Sequence, residues 1–547
     1  MRESKKSHKI LIIVIALILV IGILSIIFGR SIYNNYLKND DEISFVYSDG
    51  VYEVNKDEDT SIFTSDYQDT IEEKIDELKD DGNYTIDNPL IIYNPYGTGS
   101  LSYYIYYTSD EDSQLSYRIS TDGYDGFERN LIDDYSLEKE FQLIGFVPGE
   151  VNELTLRETN KDNEVLEKTY EIKTPKLNED IDTQLEVTDG DAEAELSDGL
   201  YTVLGHDKNC ASNIYVYDNS GVLREEFVLD GYRADRVIFD DGYMYYPYKK
   251  RGIVKVNNLG KIVKFYDLGN YAMHHDMVLE LMLRKNLKVI QDNTETIEDT
   301  VISLDLESGE VTQLFDMKDL LPEFYETAVN PGENSYGTDT LDWIHINALS
   351  IIGDDVVLSS RELSTIIYVS DFESDPEVKY LITDPSMAEG TSYASLLYEK
   401  KGDFVSQAGQ HSITYYKDDS LDDGEYYLFM FNNNYGAATT RPDFEWSNYP
   451  GVGSYNEGET SYFYEYLVNE NDKSYELVKS FKVPYSSIVS SVELMDNGNI
   501  VIGSGKDNSF KEYDNDGNLI RKFDYSAKKY AYRVFKYSYD NLFVNEK

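Results

Sequence analysis

Three of the six histidines recur at one position in successive repeats of a β-hairpin pattern. His275, His345 and His411 each stand just before, or at the start of, the first strand of a repeat. If these strands line a central channel, their first side chains project into its mouth and the three imidazoles converge. Consecutive strand residues point to opposite faces, so His274 competes with His275 for the inward direction, and we expect His275 to face inward.

Further polar groups accompany His345 in its repeat. Asn347 lies two residues later and therefore on the same strand face. Arg361 follows the second strand, VVLSS, and returns to the end at which His345 begins. Arginine presents a planar fork of donors, asparagine adds a hydrogen bond, and imidazole, with a pKa of about 6.5, is a nucleophile near neutral pH. This combination indicates transfer of an oxyanion group, with no cofactor and no metal required.

Two other interpretations remain open. Three histidines are also suitable ligands for zinc or another transition metal, which would make the protein a metal-dependent hydrolase, although Arg361 beside them argues against a cation. In the second interpretation the protein is a non-catalytic binding or adhesion propeller at the cell surface, because the propeller scaffold supports many different functions. In the last repeat, Ser490 or Ser491 could add a hydroxyl donor and Tyr532 could line the pocket, or each could be structural.

Composition limits the class of protein. The 102 acidic and 49 basic residues give a net charge of -53, which repels nucleic acid and excludes it as a partner. A single cysteine, Cys210, cannot form an intramolecular disulfide or a cysteine-based metal cluster. Aromatic residues make up 14% of the chain, 50 of them tyrosine, and this favours strands over helices.

A pair of hairpins recurs after Asp198. The outer hairpin, a strand, a polar turn and a second strand, has six copies, of which IYVYDNSGVLREEF is the first, and an inner hairpin alternates with it. Two hairpins make one four-stranded blade, so the sequence predicts an all-β fold with a six-bladed β-propeller over residues 177–547. Long insertions at 371–409 and 432–461 are expected to form rims or lids.

Short alternating strands over residues 88–176 predict a small β-sandwich domain before the propeller. Residues 31–87 are very acidic and contain one helical pattern, with Ile71, Ile75 and Leu78 on one face and Thr64 or Ser65 as its cap. This segment is expected to be a stalk or docking segment.

The N-terminal residues 1–30 predict a cytoplasmic stub and a transmembrane anchor. Ile10 to Phe28 is a run of 19 residues without a charge, and a helix of that length spans roughly 28 Å. Basic residues precede the run, so the positive-inside rule places the N-terminus in the cytoplasm and the catalytic domain outside a single-pass cell membrane anchor. A cleaved signal peptide would have a shorter apolar region that ends in a small-x-small site.

Several segments around the candidate residues resemble the arylsulfate sulfotransferase family. The segments are HHDMVLELML at 274–283, DWIHINALSIIGDDVVLSSRELSTI at 342–366, and GQHSITYY at 409–416 followed by LFMFNNN. NPLIIYNPYGTGSLSYYI, at the start of the predicted sandwich, is similar to the N-terminal domain of that family. The resemblance covers about residues 88 to 540.

This resemblance implies an enzyme that moves a sulfuryl group from a phenolic sulfate ester to a phenolic acceptor, without a nucleotide sulfate donor. It implies that His411 is the nucleophile and forms a sulfohistidine. His275, His345, Asn347 and Arg361 would hold the sulfuryl and phenolic oxygens. The expected partners are these two small molecules and the membrane, and a homodimer is left open. His274 and Ser490 complete the set of predicted substrate-binding residues.

Overall fold

The computed structural model of the chain describes residues 43–177, 181–205, 213–231, 233–279, 286–292, 296–332, 340–527 and 529–539. Strands dominate these ranges and form seven sheets. One sheet is N-terminal. The other sheets form a propeller-like arrangement that contains the predicted site residues.

The N-terminal sheet has the strand order β1-β2-β3-β4-β6-β7, with β5 paired to β4. Its strands are β1 (Ser44–Ser48), β2 (Val51–Asn55), β3 (Leu90–Tyr93), β4 (Tyr103–Thr121), β5 (Phe127–Leu143), β6 (Val151–Asn160) and β7 (Val165–Lys173). The sequence predicts only short strands in this region, where the structure has the long β4. The acidic stretch 109–114 continues this strand through an irregular register instead of forming a turn. All seven strands are linked by hydrogen bonds into one sheet, and the predicted sandwich stays a prediction.

The helix predicted from Ile71 and Ile75 is confirmed as α1 (Ser65–Asp81). The side chain of Thr64 caps it by accepting a hydrogen bond from Tyr67 N. Ile71 and Ile75 are buried against the N-terminal sheet. On the other side, Lys261 of the propeller forms ion pairs with two carboxylates of α1, so the helix joins the two parts of the molecule.

Five blades each contain four consecutive antiparallel strands. The strands of the five blades, in order, are β12 (Ile238–Asp240), β13 (Tyr243–Lys249), β14 (Gly252–Val256), β15 (Ile262–Asp267); β16 (Ala272–Leu279), β17 (Asn286–Asp292), β18 (Thr300–Asp305), β19 (Val311–Asp316); β20 (Ile346–Ile352), β21 (Asp355–Ser360), β22 (Thr365–Ser370), β23 (Glu377–Ile382); β25 (His411–Tyr416), β26 (Glu425–Asn432), β27 (Ser461–Asn469), β28 (Ser474–Val483); β29 (Ser491–Leu494), β30 (Ile500–Ser504), β31 (Ser509–Tyr513), β32 (Leu519–Asp524). The fourth blade has β24 (Glu399–Lys401) as an additional edge strand, and the last blade has β8 (Glu186–Asp189). A further sheet contains β9 (Leu200–Leu204), β10 (Ile214–Tyr217) and β11 (Leu223–Phe227). Two short helices, α2 (Met317–Leu320) and α3 (Pro322–Glu326), follow β19.

The prediction of six blades, each made from two consecutive hairpins, is wrong. Five blades have that construction, whereas the segment GLYTVLG contributes only the single strand β9. In the remaining sheet, which we call the closing sheet, β9 pairs with β10 on one side and with the C-terminal strand β33 (Arg533–Tyr537) on the other. Its order, β11-β10-β9-β33, therefore combines the two ends of the propeller sequence.

The fold prediction also included a transmembrane helix. None of the helices in the described ranges is long and apolar enough to cross a membrane. The predicted segment, residues 10–28, lies outside the described residues.

The first strands of adjacent blades lie side by side, β16 against β20, β20 against β25, and β25 against β29. Near the start of β16, β20 and β25 the register shifts, as in a β-bulge. His275 (φ 63°), His345 (φ 51°) and Ser412 (φ 58°) have left-handed backbone conformations at these positions. Each such residue costs on the order of 1 kcal/mol or more, and strain of this kind is concentrated at functional sites. The bulged strand starts carry the predicted histidines.

Candidate active site

One buried carboxylate lies at the centre of the histidine cluster. Glu298 precedes β18 and is fully buried, and its backbone O accepts a hydrogen bond of 2.8 Å from Ile346 N. Its Oε1 lies 3.0 Å from His274 Nδ1, and its Oε2 lies 2.9 Å from His275 Nε2. Oε2 also contacts His345 Nδ1. The structure thus brings three imidazoles together around one carboxylate.

His274 and His275 both face Glu298, although alternation along a strand predicts that only one of them points inward. The left-handed backbone of His275 and the register shift around it interrupt the alternation. The ring of His275 is held at both nitrogens, since Nε2 contacts Glu298 and Nδ1 lies 2.5 Å from Tyr532 OH. Burial lowers the pKa of His275 well below its ordinary value, so this ring is neutral.

His345 is paired with two carboxylates and lies beside Arg361. Its Nδ1 lies 2.7 Å from Asp342 Oδ2, in addition to its contact with Glu298. Arg361 N donates to His345 O over 3.0 Å, and Arg361 Nη2 lies 3.3 Å from the same Asp342 oxygen. Burial and Arg361 lower the pKa of His345, but Asp342 and Glu298 outweigh them and raise it to about 9. His345 is therefore an imidazolium at neutral pH.

The third predicted histidine, His411, is the first residue of β25 and is buried apart from the Glu298 cluster. Its Nδ1 lies 2.8 Å from Asn433 Oδ1 and 3.1 Å from Gly409 O. Both partners are oxygen acceptors, so Nδ1 carries the proton. The lone pair is then on Nε2, which has no hydrogen-bond partner among the described residues.

Electrostatics keep the His411 ring neutral. Burial lowers the pKa of His411 well below its ordinary value, and the hydrogen bond to Asn433 only partly opposes this effect. Arg361, His345 and Arg533 lie close enough to lower this pKa further through their positive charge. A neutral imidazole thus lies among three cationic groups, an arrangement suited to an anionic ligand.

Asn347 connects the two histidine positions. Its Nδ2 donates to Gln410 O, the residue before His411, over 2.8 Å, and its backbone O accepts from Arg533 Nη2 over 2.8 Å. Gln410 Nε2 in turn donates to Ser360 O over 3.0 Å. The start of β25 is thereby fastened to the blade that supplies His345.

Ser490 does not join the histidines. Its N donates to Tyr532 O over 2.9 Å, and its Oγ accepts from Gly505 N over 3.2 Å. Within the described ranges no hydrogen bond links Ser490 to a site histidine. Tyr532, in contrast, contacts His275 directly and belongs to the cluster. Ser490 is connected to the cluster only through its hydrogen bond to the backbone of Tyr532.

The cluster also contains donor types that metals use. Ligand atoms of His274, His275 and Glu298, and those of Glu298, Asp342 and His345, lie within 4.8 Å of one another. Two ligands of a tetrahedral zinc with bonds of about 2.1 Å are roughly 3.4 Å apart. The nitrogen-to-oxygen distances at Glu298 are 3.0 Å or less, so these groups lie closer together than two ligands of such an ion would.

Comparison with known protein families assigns the chain. Residues 186–541 match the family model described as Arylsulfotransferase (ASST), and residues 90–175 match the Arylsulfotransferase Ig-like domain. The first match alone covers more than half of the 547 residues. The chain belongs to the arylsulfotransferase family. The resemblance noted in the sequence is thus confirmed, and membership of the arylsulfotransferase family supports a sulfotransferase activity in general.

Other comparisons add little to the arylsulfotransferase assignment. No curated protein matches the chain. Solved structures that match at 10% identity include a protein of unknown function from Bacteroides caccae (TM-score 0.35, covering 62% of this chain and 98% of that one) and a protein from Lactobacillus plantarum (0.34, 78% and 100%). Apo AztD from Citrobacter koseri also matches at 10% identity (0.27, 78% and 99%). TM-scores this low carry no argument about this arylsulfotransferase.

Several contributors to the site were not predicted from the sequence. They are Glu298, Asp342, Asn433, Arg533 and also Asp235, whose Oδ2 accepts a hydrogen bond of 2.9 Å from His275 N. Asp342 stands three residues before His345 in the segment DWIHIN, and this i, i+3 spacing is a local signal that could have drawn attention to it. The others come from different blades or from the closing sheet. Their proximity arises only when the blades assemble.

Proposed function

We propose that this arylsulfotransferase moves a sulfuryl group from a phenolic sulfate ester to a phenol through a sulfohistidine at His411. The observation that supports it most is the state of the His411 ring, with its proton fixed on Nδ1 by Asn433 and its Nε2 without a partner in the described part of the chain. An imidazole in this state is a nucleophile. Arg361 and the His345 imidazolium lie near it to stabilise negative charge.

In the first half of the reaction, His411 Nε2 attacks the sulfur, and an N–S bond forms while the bond from sulfur to the phenolic oxygen breaks. The electron pair of that bond leaves with the phenoxide, which takes a proton from His345. In the second half, the acceptor phenol returns a proton to His345 as its oxygen attacks the sulfur. The N–S bond then breaks and restores neutral His411. A covalent intermediate of this kind gives ping-pong kinetics.

The test is to expose the protein briefly to 4-nitrophenyl sulfate without an acceptor. We expect one sulfuryl group per chain by intact mass, located on His411 by peptide mapping. In His411→Asn, both this labelling and the transfer to phenol should fall to the background rate, because the nucleophilic nitrogen is lost.

The thermal unfolding midpoint of His411→Asn serves as the control for folding. Transfer at an undiminished rate by a folded His411→Asn protein would overturn the assignment. So would a sulfuryl group found on another residue of the wild-type chain.

A further inference from the structure

Glu298 has a position that no sequence motif indicates. It is fully buried before β18, with a left-handed backbone at φ 58°. The hydrogen bond from Ile346 N to its backbone O attaches it to the residue that follows His345. Its carboxylate contacts the rings of His274, His275 and His345, which come from two different blades.

The charged and titratable groups around His345 contact different sides of its ring. Glu298 and Asp342 both contact Nδ1, on one side of the ring. The His275 ring lies beside it, with 4.7 Å between ring centroids, and Arg361 and His411 also lie close to it. His345 Nε2 is buried and has no hydrogen-bond partner among the described residues. A proton held on Nδ1 by two carboxylates leaves Nε2 as the atom that can serve the substrate.

We infer that Glu298 is a positioning residue that fixes the His345 ring with Nε2–H toward the reacting oxygen, so that His345 gives its proton to the departing phenoxide. This inference rests on the proposed sulfuryl transfer. Glu298 does not touch the substrate and stays ionised throughout. Burial alone raises the pKa of Glu298, but the three imidazoles outweigh it and hold this pKa well below its ordinary range.

The same contacts assign different tasks to the neighbouring rings. His275 Nε2 lies 2.9 Å from Glu298 Oε2 and its Nδ1 lies 2.5 Å from Tyr532 OH, so both ring nitrogens face groups of the protein. His274 holds the second oxygen of Glu298. These contacts at both oxygens keep the carboxylate beside His345. His274 and His275 thus position the carboxylate of Glu298, and this carboxylate positions the ring of His345.

The variant Glu298→Gln tests this arrangement, because it keeps the side-chain shape and removes the charge. The readout is the rate of His411 labelling with two donors. Phenyl sulfate has a poor leaving group that needs a proton, whereas 4-nitrophenyl sulfate has a good leaving group that needs little help. We expect a loss of roughly 100-fold with phenyl sulfate and a much smaller loss with 4-nitrophenyl sulfate, since general acids contribute about 10²–10⁴-fold.

Glu225→Gln is the matched control, because Glu225 is also a fully buried glutamate but lies in β11, in the closing sheet. It should label His411 at the wild-type rate with both donors. A second readout does not depend on activity. NMR titration of the histidine rings without a donor, assigned with His345→Asn, should show that Glu298→Gln lowers the pKa of His345 from its wild-type value.

Three results would overturn the role of Glu298. The first is an equal loss with both donors, which would indicate a general structural effect. The second is an unchanged His345 titration in Glu298→Gln. The third is one equivalent of zinc in the wild-type protein that the variant lacks, which would make Glu298 a metal ligand. If instead the wild type transfers sulfuryl from neither donor, the proposed function fails, while the NMR titration still tests the contact between Glu298 and His345.

Discussion

The two histidines to which we assign the proposed transfer step titrate on opposite sides of neutral pH. His411 must be neutral to attack, and burial holds its pKa well below 6.5. His345 must be protonated to serve the leaving oxygen, and Asp342 and Glu298, against the effect of burial, raise its pKa to about 9. Groups whose surroundings separate their pKa values in this way divide the roles of base and acid between them.

The pH dependence of kcat/KM follows from this separation. Activity should fall as pH decreases through the pKa of His411, because protonation removes the lone pair, so the acidic limb lies below 6.5. Activity with phenyl sulfate should also fall as pH rises through about 9, because His345 loses its proton. A profile measured with phenyl sulfate and a phenol acceptor checks both limbs. An acidic limb at or above 6.5, or a flat alkaline side, would contradict these assignments.

Residue types and spacing could predict His275, His345, Asn347, Arg361 and His411, because each stands at a recognisable place in a repeat. The sequence could not predict Glu298, because the chain has 102 aspartate and glutamate residues and only the packing of the folded protein distinguishes Glu298 from the others. Nor could it show that Asn347 Nδ2 is already bonded to Gln410 O. Hydrogen-bond partners from another blade leave no local signal.

Strand ends, rather than strand centres, hold the site together. The bulged starts of β16, β20 and β25 place histidines where regular alternation would turn some of them away. The end of β26 contributes as well, because the next residue, Asn433, bonds His411 and donates to Ser486 O (2.8 Å) and Val489 O (3.0 Å). One side chain therefore positions the His411 ring and joins two blades.

Replacing Asn433 by alanine should separate these two effects. The His411 ring loses the acceptor that fixes its proton on Nδ1, so the rate of His411 labelling should fall by about 10–100-fold, as misplaced catalytic groups commonly cause. Loss of the buried hydrogen bonds should also lower the free energy of unfolding by about 1–3 kcal/mol.

Asn499→Ala provides a matched comparison for Asn433→Ala. Asn499 is a buried asparagine in the last blade, and its Nδ2 donates to Glu195 O and Glu512 Oε1. It should show a similar loss of stability, measured by urea unfolding, with labelling at the wild-type rate. Equal labelling rates in the two variants would show that Asn433 has no role beyond packing.

At the scale of the whole molecule, the chain closes its propeller with its own C-terminal strand. β33 pairs with β9 although more than 300 residues separate them, and Arg533 of β33 forms an ion pair of 2.8 Å with Asp276 next to the histidine cluster. The local hairpin pattern predicted the outer strands of the blades well. It could not indicate this closure, because a pairing between distant segments has no period, and for that reason six blades were predicted.

The N-terminal sheet is built against the closing sheet, and Glu225 lies between them. Its Oε1 accepts hydrogen bonds from Leu101 N (2.9 Å) and Glu226 N (2.8 Å), but burial outweighs them and raises the pKa of Glu225 to about 8. The folded form therefore holds a proton that the unfolded chain releases above about 4.5. The stability this gives is fully present below that value and is lost as pH rises toward 8.

Glu225→Gln keeps the side-chain shape and cannot ionise, so it should not lose stability over this range. We expect its free energy of unfolding to be close to that of the wild type at acidic pH and to exceed it increasingly toward pH 8, by on the order of 1 kcal/mol or more. Urea unfolding across this range measures the difference. Thr98→Val is the control that does not titrate, because it removes the buried hydrogen bond from Thr98 Oγ1 to Gly260 O, in the turn between β14 and β15 of another blade. Thr98→Val should lower the free energy of unfolding by about 1 kcal/mol at every pH. If the difference between Glu225→Gln and the wild type is also the same at every pH, Glu225 is ionised in the folded protein.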